Sequence, residues 1–204
     1  MSQPGESDPE GQAETRHRLA NIFQLLSTLT RMQLQRAEEP DGRRRLAWML
    51  EMVTALGVLQ HRLHTPGSEG FEAYLEDMAV HWRRSCADRP IDIALSVQPL
   101  RIPENHASTL ALIVNELVAN AIAHGFPDAR GGAIRIELER LGADRAALTV
   151  SDDGQGYDPQ TVETSRLGLW LVAGLAGQMR GVLATTSDNG VRCRLEFPVA
   201  AARV

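Results

Sequence analysis

Apolar positions along the first third of the chain recur at helical spacing. Leu19, Ile22, Phe23, Leu26 and Leu29 fall three and four apart, which predicts a helix over about residues 12–37. "AEEPDG" (37–42) breaks that pattern with Pro and Gly. A second helix is predicted over about 43–64, with two adjacent stripes: Leu46, Met49, Val53 and Leu56, then Trp48, Met52, Ala55 and Leu59. "TPGSEG" (65–70) ends it. A pair of antiparallel helices with such broad stripes cannot bury them alone. Joining a second copy in a four-helix bundle is the favoured solution, because the second helix is apolar on more than one side. Docking against the rest of the chain is the rival. Beyond residue 70 the periods alternate. Helices are predicted at 71–86, from Pro103 to just before Gly125, and at 167–179. Strands are predicted at 91–98, 133–140 and 145–153, and on either side of the "DNG" turn at 188–190. The expected fold is α+β: an N-terminal helical hairpin over 12–66, then an α/β sandwich over 71–199. Residues 1–11 and 200–204 are expected to be tails.

Composition narrows the class. Hydrophobic residues make up 43% of 204, enough for a core, and the net charge of -5 argues against a nucleic-acid partner. "RRR" (43–45) and "WRR" (82–84) are read as solvated helix faces. Cys86 and Cys193 are too few for a disulfide framework, so both are expected to be plain thiols in a reducing cytoplasm. The polar, acidic start lacks the features of a signal peptide, and "LALIVNELVANAIA" is read as too short to span a bilayer. No membrane association is expected.

The chemistry concentrates in three blocks. In "NELVANAIAHGF" (115–126), Glu116, Asn120 and His124 are four apart and share a helix face. Leu110, Ile113, Val114, Leu117, Val118 and Ala121 cover the opposite face. Asn is a poor interior helix residue, so this polar face is unlike an ordinary solvated one. "DDGQG" (152–156) sets a carboxylate beside closely spaced glycines, where backbone approaches a ligand tightly. "SRLGLWLV" (165–172) puts Ser165 and Gly168 at a helix start, where free N–H groups favour phosphate.

In this order the blocks resemble the nucleotide-binding domain of the GHKL superfamily, which includes histidine kinases, type II topoisomerases and MutL-type ATPases. The resemblance covers about residues 71–199. It implies binding of ATP with Mg²⁺. Asn120 would ligate the metal through its amide oxygen, and Glu116 would deprotonate or orient the nucleophile. Asp152 would accept from the adenine amino group, with Gly154 and Gly156 closing over the base. Gly168 and Leu169 would open the phosphate-facing helix, with His124 and Arg166 toward the phosphates. Asn115 is given no role. The hairpin, with "ETRHRLANIFQLL" (14–26), resembles the phosphoacceptor hairpin of the second HisKA subfamily, related to HWE kinases. Ala20 replaces its usual Lys, the "W-x-E" signature is absent around 148–152, Ala123 stands where a lysine is frequent, and Val191 where a threonine is.

The resemblance implies a cytoplasmic, homodimeric histidine kinase. His17, expected to be exposed on the polar stripe with Asn21, Gln24 and Thr28, would be phosphorylated from Mg-ATP. It would pass the phosphoryl group to an aspartate of a response regulator. Glu14 would orient the His17 ring, and Asn21 would position a water for the reverse, phosphatase reaction. His61 and His64 are rival acceptors without the motif. No segment is long enough for a sensor domain, so input would come from a separate partner or the chain is a fragment. Three other readings stand: a ChpT-type histidine phosphotransferase that does not use ATP, an anti-sigma-factor serine kinase, and a purely structural dimer.

Overall fold

The structure, a computed structural model, describes residues 9–63, 70–156 and 166–199. The side chains at 9–17, 104, 129 and 166–167 are outside that description. The tails at 1–8 and 200–204, most of the 65–70 turn, His64 and Ser165 therefore lie outside the described residues, as do the side chains of Glu14, His17 and Arg166.

Helix α1 (Pro9–Arg36) begins a few residues earlier than the periodicity suggests, and α2 (Pro40–Leu63) starts inside the expected turn. Pro40 occupies the first position of α2, where a missing N–H costs nothing. The two helices lie against each other; a Cβ placed on Gly57 would sit 3.7 Å from that of Phe23. The two stripes of α2 have different fates. Met52, Ala55 and Leu59 are buried in the core of the following domain, with Leu59 at 0% exposure. Docking against the rest of the chain, the rival reading for this helix, is therefore observed for that stripe. The face of α1 stays open in the single chain: Ile22, Leu25, Leu26, Leu29 and Met32 remain 43–59% exposed.

Helix α3 (Phe71–Ser85) turns Phe71, Tyr74, Leu75, Met78, Ala79 and Trp82 inward. Trp82 of the expected basic face is thus a core residue, and Arg83 donates to the Ile93 carbonyl at 2.5 Å; Arg84 is exposed. Two ion pairs pin α2 to α3. Arg62 forks onto Asp77 at 2.5 and 2.6 Å, and His81 meets Glu51 at 3.3 Å.

The sheet contains β1 (Ile91–Val97), β2 (Gly132–Arg140), β3 (Arg145–Asp152), β4 (Val182–Ser187) and β5 (Val191–Pro198). Its order is β1-β2-β3-β5-β4. Only the β1–β2 pair is parallel, and α4 (Glu104–Asn120) makes the crossover such a pair requires. The inner face carries Ile91, Ile93, Ile134, Ile136, Leu138, Leu148, Val150, Cys193, Leu195 and Phe197. The alternate residues form a charged ladder on the other face, where Arg194 bridges Glu139 at 2.7 Å and Glu196 at 3.3 Å, and Arg192 approaches Glu137 at 3.6 Å. Both cysteines are buried and free.

The expectation that the apolar run of α4 is too short to cross a bilayer needs correction. With the turn that follows, the helix spans Asn105–Gly125, 21 residues, long and apolar enough by that measure. It is a core helix because it packs on the sheet: Ala107, Leu110, Ala111, Ile113, Val114, Leu117 and Val118 are buried.

Candidate nucleotide site

Helix α4 does not stop after Asn120. It widens into a π turn, Ala121–Gly125, of a kind that recurs at functional sites. Periodicity alone misses it. The carbonyls at the end of the turn face the "DDGQG" loop. Gly125 O accepts from Gln155 N at 2.8 Å, and His124 O accepts from Gln155 Nε2 at 2.9 Å. A Cβ on Gly154 would lie 2.4 Å from the Gly125 carbonyl oxygen, so only glycine fits there. Gly156 takes φ 69.

At this end Asp152 closes β3. Its Oδ1 accepts from Gly154 N at 2.9 Å and from Val191 N at 3.4 Å. The Val191 contact uses backbone, so the change from threonine leaves it intact. Partial burial pushes the Asp152 carboxyl up, against those two backbone donors. One oxygen is thereby fixed by two backbone N–H groups. Asp153 is structural instead: its Oδ1 accepts from Ala133 N at 2.7 Å, tying the loop to β2.

Along the polar stripe of α4 and the π turn, burial falls toward the C-terminal end. Glu116 is 4% exposed, Asn120 is intermediate, and the His124 side chain is exposed. Asn120 Nδ2 donates to Glu116 Oε1 at 2.9 Å. That bond turns the Asn120 amide oxygen away from Glu116, free for a hard cation. Among the described residues no cluster of three or more His, Cys, Asp or Glu forms a metal cage. A single amide oxygen fits Mg²⁺ that arrives with phosphate oxygens and keeps its waters.

Helix α5 (Arg166–Gln178) meets this stripe at its first turn. A Cβ on Gly168 would lie 1.7 Å from Glu116 Oε1. The start of α5 therefore rests on the Glu116 carboxylate through glycine, which sets its free backbone N–H groups beside Asn120. Leu169 is half-buried behind it, and Trp170 is 71% exposed.

The structure thus brings Glu116, Asn120 and Gly168 into one cluster, and Asp152, Gly154 and Gly156 into another, with the π turn between them. The side chains of Glu14 and His17 lie outside the described residues. With Phe23 beside Gly57 in an antiparallel pair, His17 lies level with the end of α2. Trp48 lies level with about Met32, so the two levels are about 22 Å apart at 1.5 Å per residue.

Two tryptophans were not assigned from sequence. Trp82 Nε1 donates to Asn115 Oδ1 at 3.1 Å, which gives the fully buried Asn115 a structural role; Asn115 Nδ2 has no hydrogen-bond partner among the described residues. Trp48 Nε1 donates to Glu116 Oε2 at 2.6 Å. The only signal for Trp48 was its place on the second stripe of α2.

Known proteins resemble this chain in sequence and in fold. Residues 105–201 match the family described as histidine kinase-, DNA gyrase B-, and HSP90-like ATPase. Sensor histidine kinase PdtaS of Mycobacterium tuberculosis is 30% identical over 196 residues, covering 91% of this chain and 39% of that protein. The chain thus spans about two fifths of that relative. The blue-light-activated histidine kinase EL346 of Erythrobacter litoralis superposes with a TM-score of 0.72 at 20% identity, covering 98% of this chain and 63% of the other. Full-length ShkA in complex with AMPPNP superposes at 0.55 with 20% identity, over 97% of this chain and 47% of that one. At these identities the two structures speak for the fold. That family match covers residues 105–201, just under half of the 204-residue chain.

Proposed function

We propose that the chain is the kinase portion of a two-component histidine kinase. It would bind Mg-ATP between Asp152 and Gly168 and transfer the γ-phosphoryl group to His17. The observation that carries this reading is the pair of clusters on either side of the π turn: a fixed carboxylate oxygen at the end of β3, and an amide oxygen beside a helix start at the end of α4. The relatives named above as histidine kinases support it, and ShkA, solved with AMPPNP, supports the nucleotide.

In this reading Asp152 Oδ2 accepts from the adenine amino group, Gly154 and Gly156 let backbone pass close to the base, and the N–H groups at Gly168 and Leu169 meet phosphate oxygens. His124 and Arg166 stand at the phosphate side. Asn120 would hold Mg²⁺, which when bound would supply charge neutralisation for the transferred group. A neutral His17 ring nitrogen attacks the γ-phosphorus; the bond to the β-phosphate bridging oxygen breaks and ADP leaves. Glu14, one turn earlier, accepts the proton on the other ring nitrogen. Glu116 serves as the carboxylate at the reacting end, and Asn21 orients a water for the reverse hydrolysis. The phosphoryl group then passes to a response-regulator aspartate. The open apolar face of α1 supports a homodimer through a four-helix bundle. A separate sensor protein and a cytoplasmic location complete the reading.

The test is incubation with γ-labelled ATP and Mg²⁺. Label lost in acid and absent from the His17→Gln variant is expected. Label that persists in His17→Gln refutes the acceptor, and acid-stable label points to a serine kinase. No label and no calorimetric heat with Mg-ATP points to the ChpT-type phosphotransferase.

A further inference from the structure

Both oxygens of the Glu116 carboxylate are taken by its own chain. Asn120, from the same helix, holds Oε1, and the Trp48 indole, from α2, holds Oε2 at 2.6 Å. The start of α5 at Gly168 closes the remaining side, leaving the residue 4% exposed. Each oxygen accepts one of these bonds, and the enclosure keeps the carboxylate away from a nucleophile in the nucleotide site. Its tie to α2 also holds it beside a level of the helix pair about 22 Å from His17.

We propose that Trp48 is a positioning residue that latches Glu116, keeping the α1–α2 pair docked in a resting pose in which the carboxylate is withheld from phosphoryl transfer. This rests on the kinase reading above, in which Glu116 serves the reaction. The latch sits where release is easiest. Met52, Ala55 and Leu59 anchor the second half of α2 in the core, whereas Arg43, Arg44, Arg45 and Ala47, just before Trp48, are exposed. The indole N–H is the polar end of the docking interface, with Glu51–His81 and Arg62–Asp77 behind it. Releasing it frees Oε2 and loosens the first half of α2 without unfolding the domain. The bond couples movement of the helix pair to the site with no intervening linker.

Trp48→Phe keeps the ring and removes only the donor, so the docked pose loses its one indole bond to Glu116. In the full chain, initial labelling from ATP is expected to rise at least about threefold, with KM for ATP within about twofold. Amide hydrogen exchange over residues 43–50 is expected to speed up, while exchange in β2 and β3 stays unchanged. Slower labelling at unchanged KM would overturn the proposal, since Trp48 would then orient Glu116 for the reaction. Unchanged exchange over 43–50 would overturn it as well. If Trp48→Phe melts early, Glu116→Gln serves in its place. That change removes the charge that holds the indole, and the same local exchange increase is expected. A wild-type chain that takes no label refutes the kinase reading, and the exchange measurement still decides the latch.

Discussion

Replacing Gly168 with Ala tests the junction between α4 and α5. The added Cβ would stand 1.7 Å from Glu116 Oε1 and 2.6 Å from Cδ. Ordinary contact begins at 3.4 Å, so the oxygen must retreat by about 1.7 Å, the difference of the two distances. Glu116 cannot do so without leaving Asn120 at 2.9 Å or Trp48 at 2.6 Å. Losing one charged hydrogen bond costs about 1.5–3 kcal/mol, and overpacking costs about 1–3 kcal/mol. Ala returns about 1 kcal/mol of helix propensity. The net expectation is a loss of about 3 kcal/mol, or a Tm about 6–12 °C lower for a chain of this size. Gly174 and Gly177 lie in the same helix with nothing within 4 Å of an added Cβ. Gly174→Ala is therefore expected to raise Tm, by about 1–4 °C. The assay is thermal unfolding of the three proteins by circular dichroism. If Gly168→Ala melts within about 2 °C of wild type, α5 does not rest on Glu116 and the site geometry argued above fails.

Two further outcomes follow from the same contacts. Asp152→Asn can keep accepting from Gly154 and Val191, but it turns an N–H toward the adenine donor. The fold should melt within a few degrees of wild type while calorimetry shows ATP affinity at least about tenfold weaker, about 1.4 kcal/mol. Full affinity in that variant refutes the adenine assignment. The hydrogen bond to Glu51 holds the His81 pKa above its ordinary 6.5, with partial burial and Arg84 pulling the other way. A raised pKa adds stability that is fully present below about pH 6.5 and fades as pH rises through the raised value. The pair is partly exposed, so its worth is under about 1 kcal/mol. Wild type should out-melt His81→Gln at about pH 6 and match it near about pH 8.5; equal melting at both refutes the link.

The elements of the domain were legible because strand alternation and helix period are local signals. The carboxylate of Asp152 and the glycine at 154 were legible for the same reason: each needs a residue type at a short fixed spacing. Trp48 was not, since it reaches Glu116 across 68 positions in sequence and carries only the mark of an apolar stripe. Asn115 was passed over because it sits off the Glu116 face; burial against Trp82 explains it without a ligand. The π turn was hidden because "AIAHG" fits an ordinary helix end as well. The position of His17 relative to the site was out of reach, as it depends on how two helices register against each other and against a third.

Helix α2 is packed on two sides. One flank is a wall of the hydrophobic core through Ala55 and Leu59, and the other lies along α1. The boundary drawn near residues 66–71 separates the chain by motif, but the solid body begins earlier. A chain cut at residue 70 would lose that wall and leave Tyr74, Leu75 and Met78 facing a trough. Torque applied to α1 and α2 is therefore delivered straight to the core beneath α4, as a lever cast in one piece with its load.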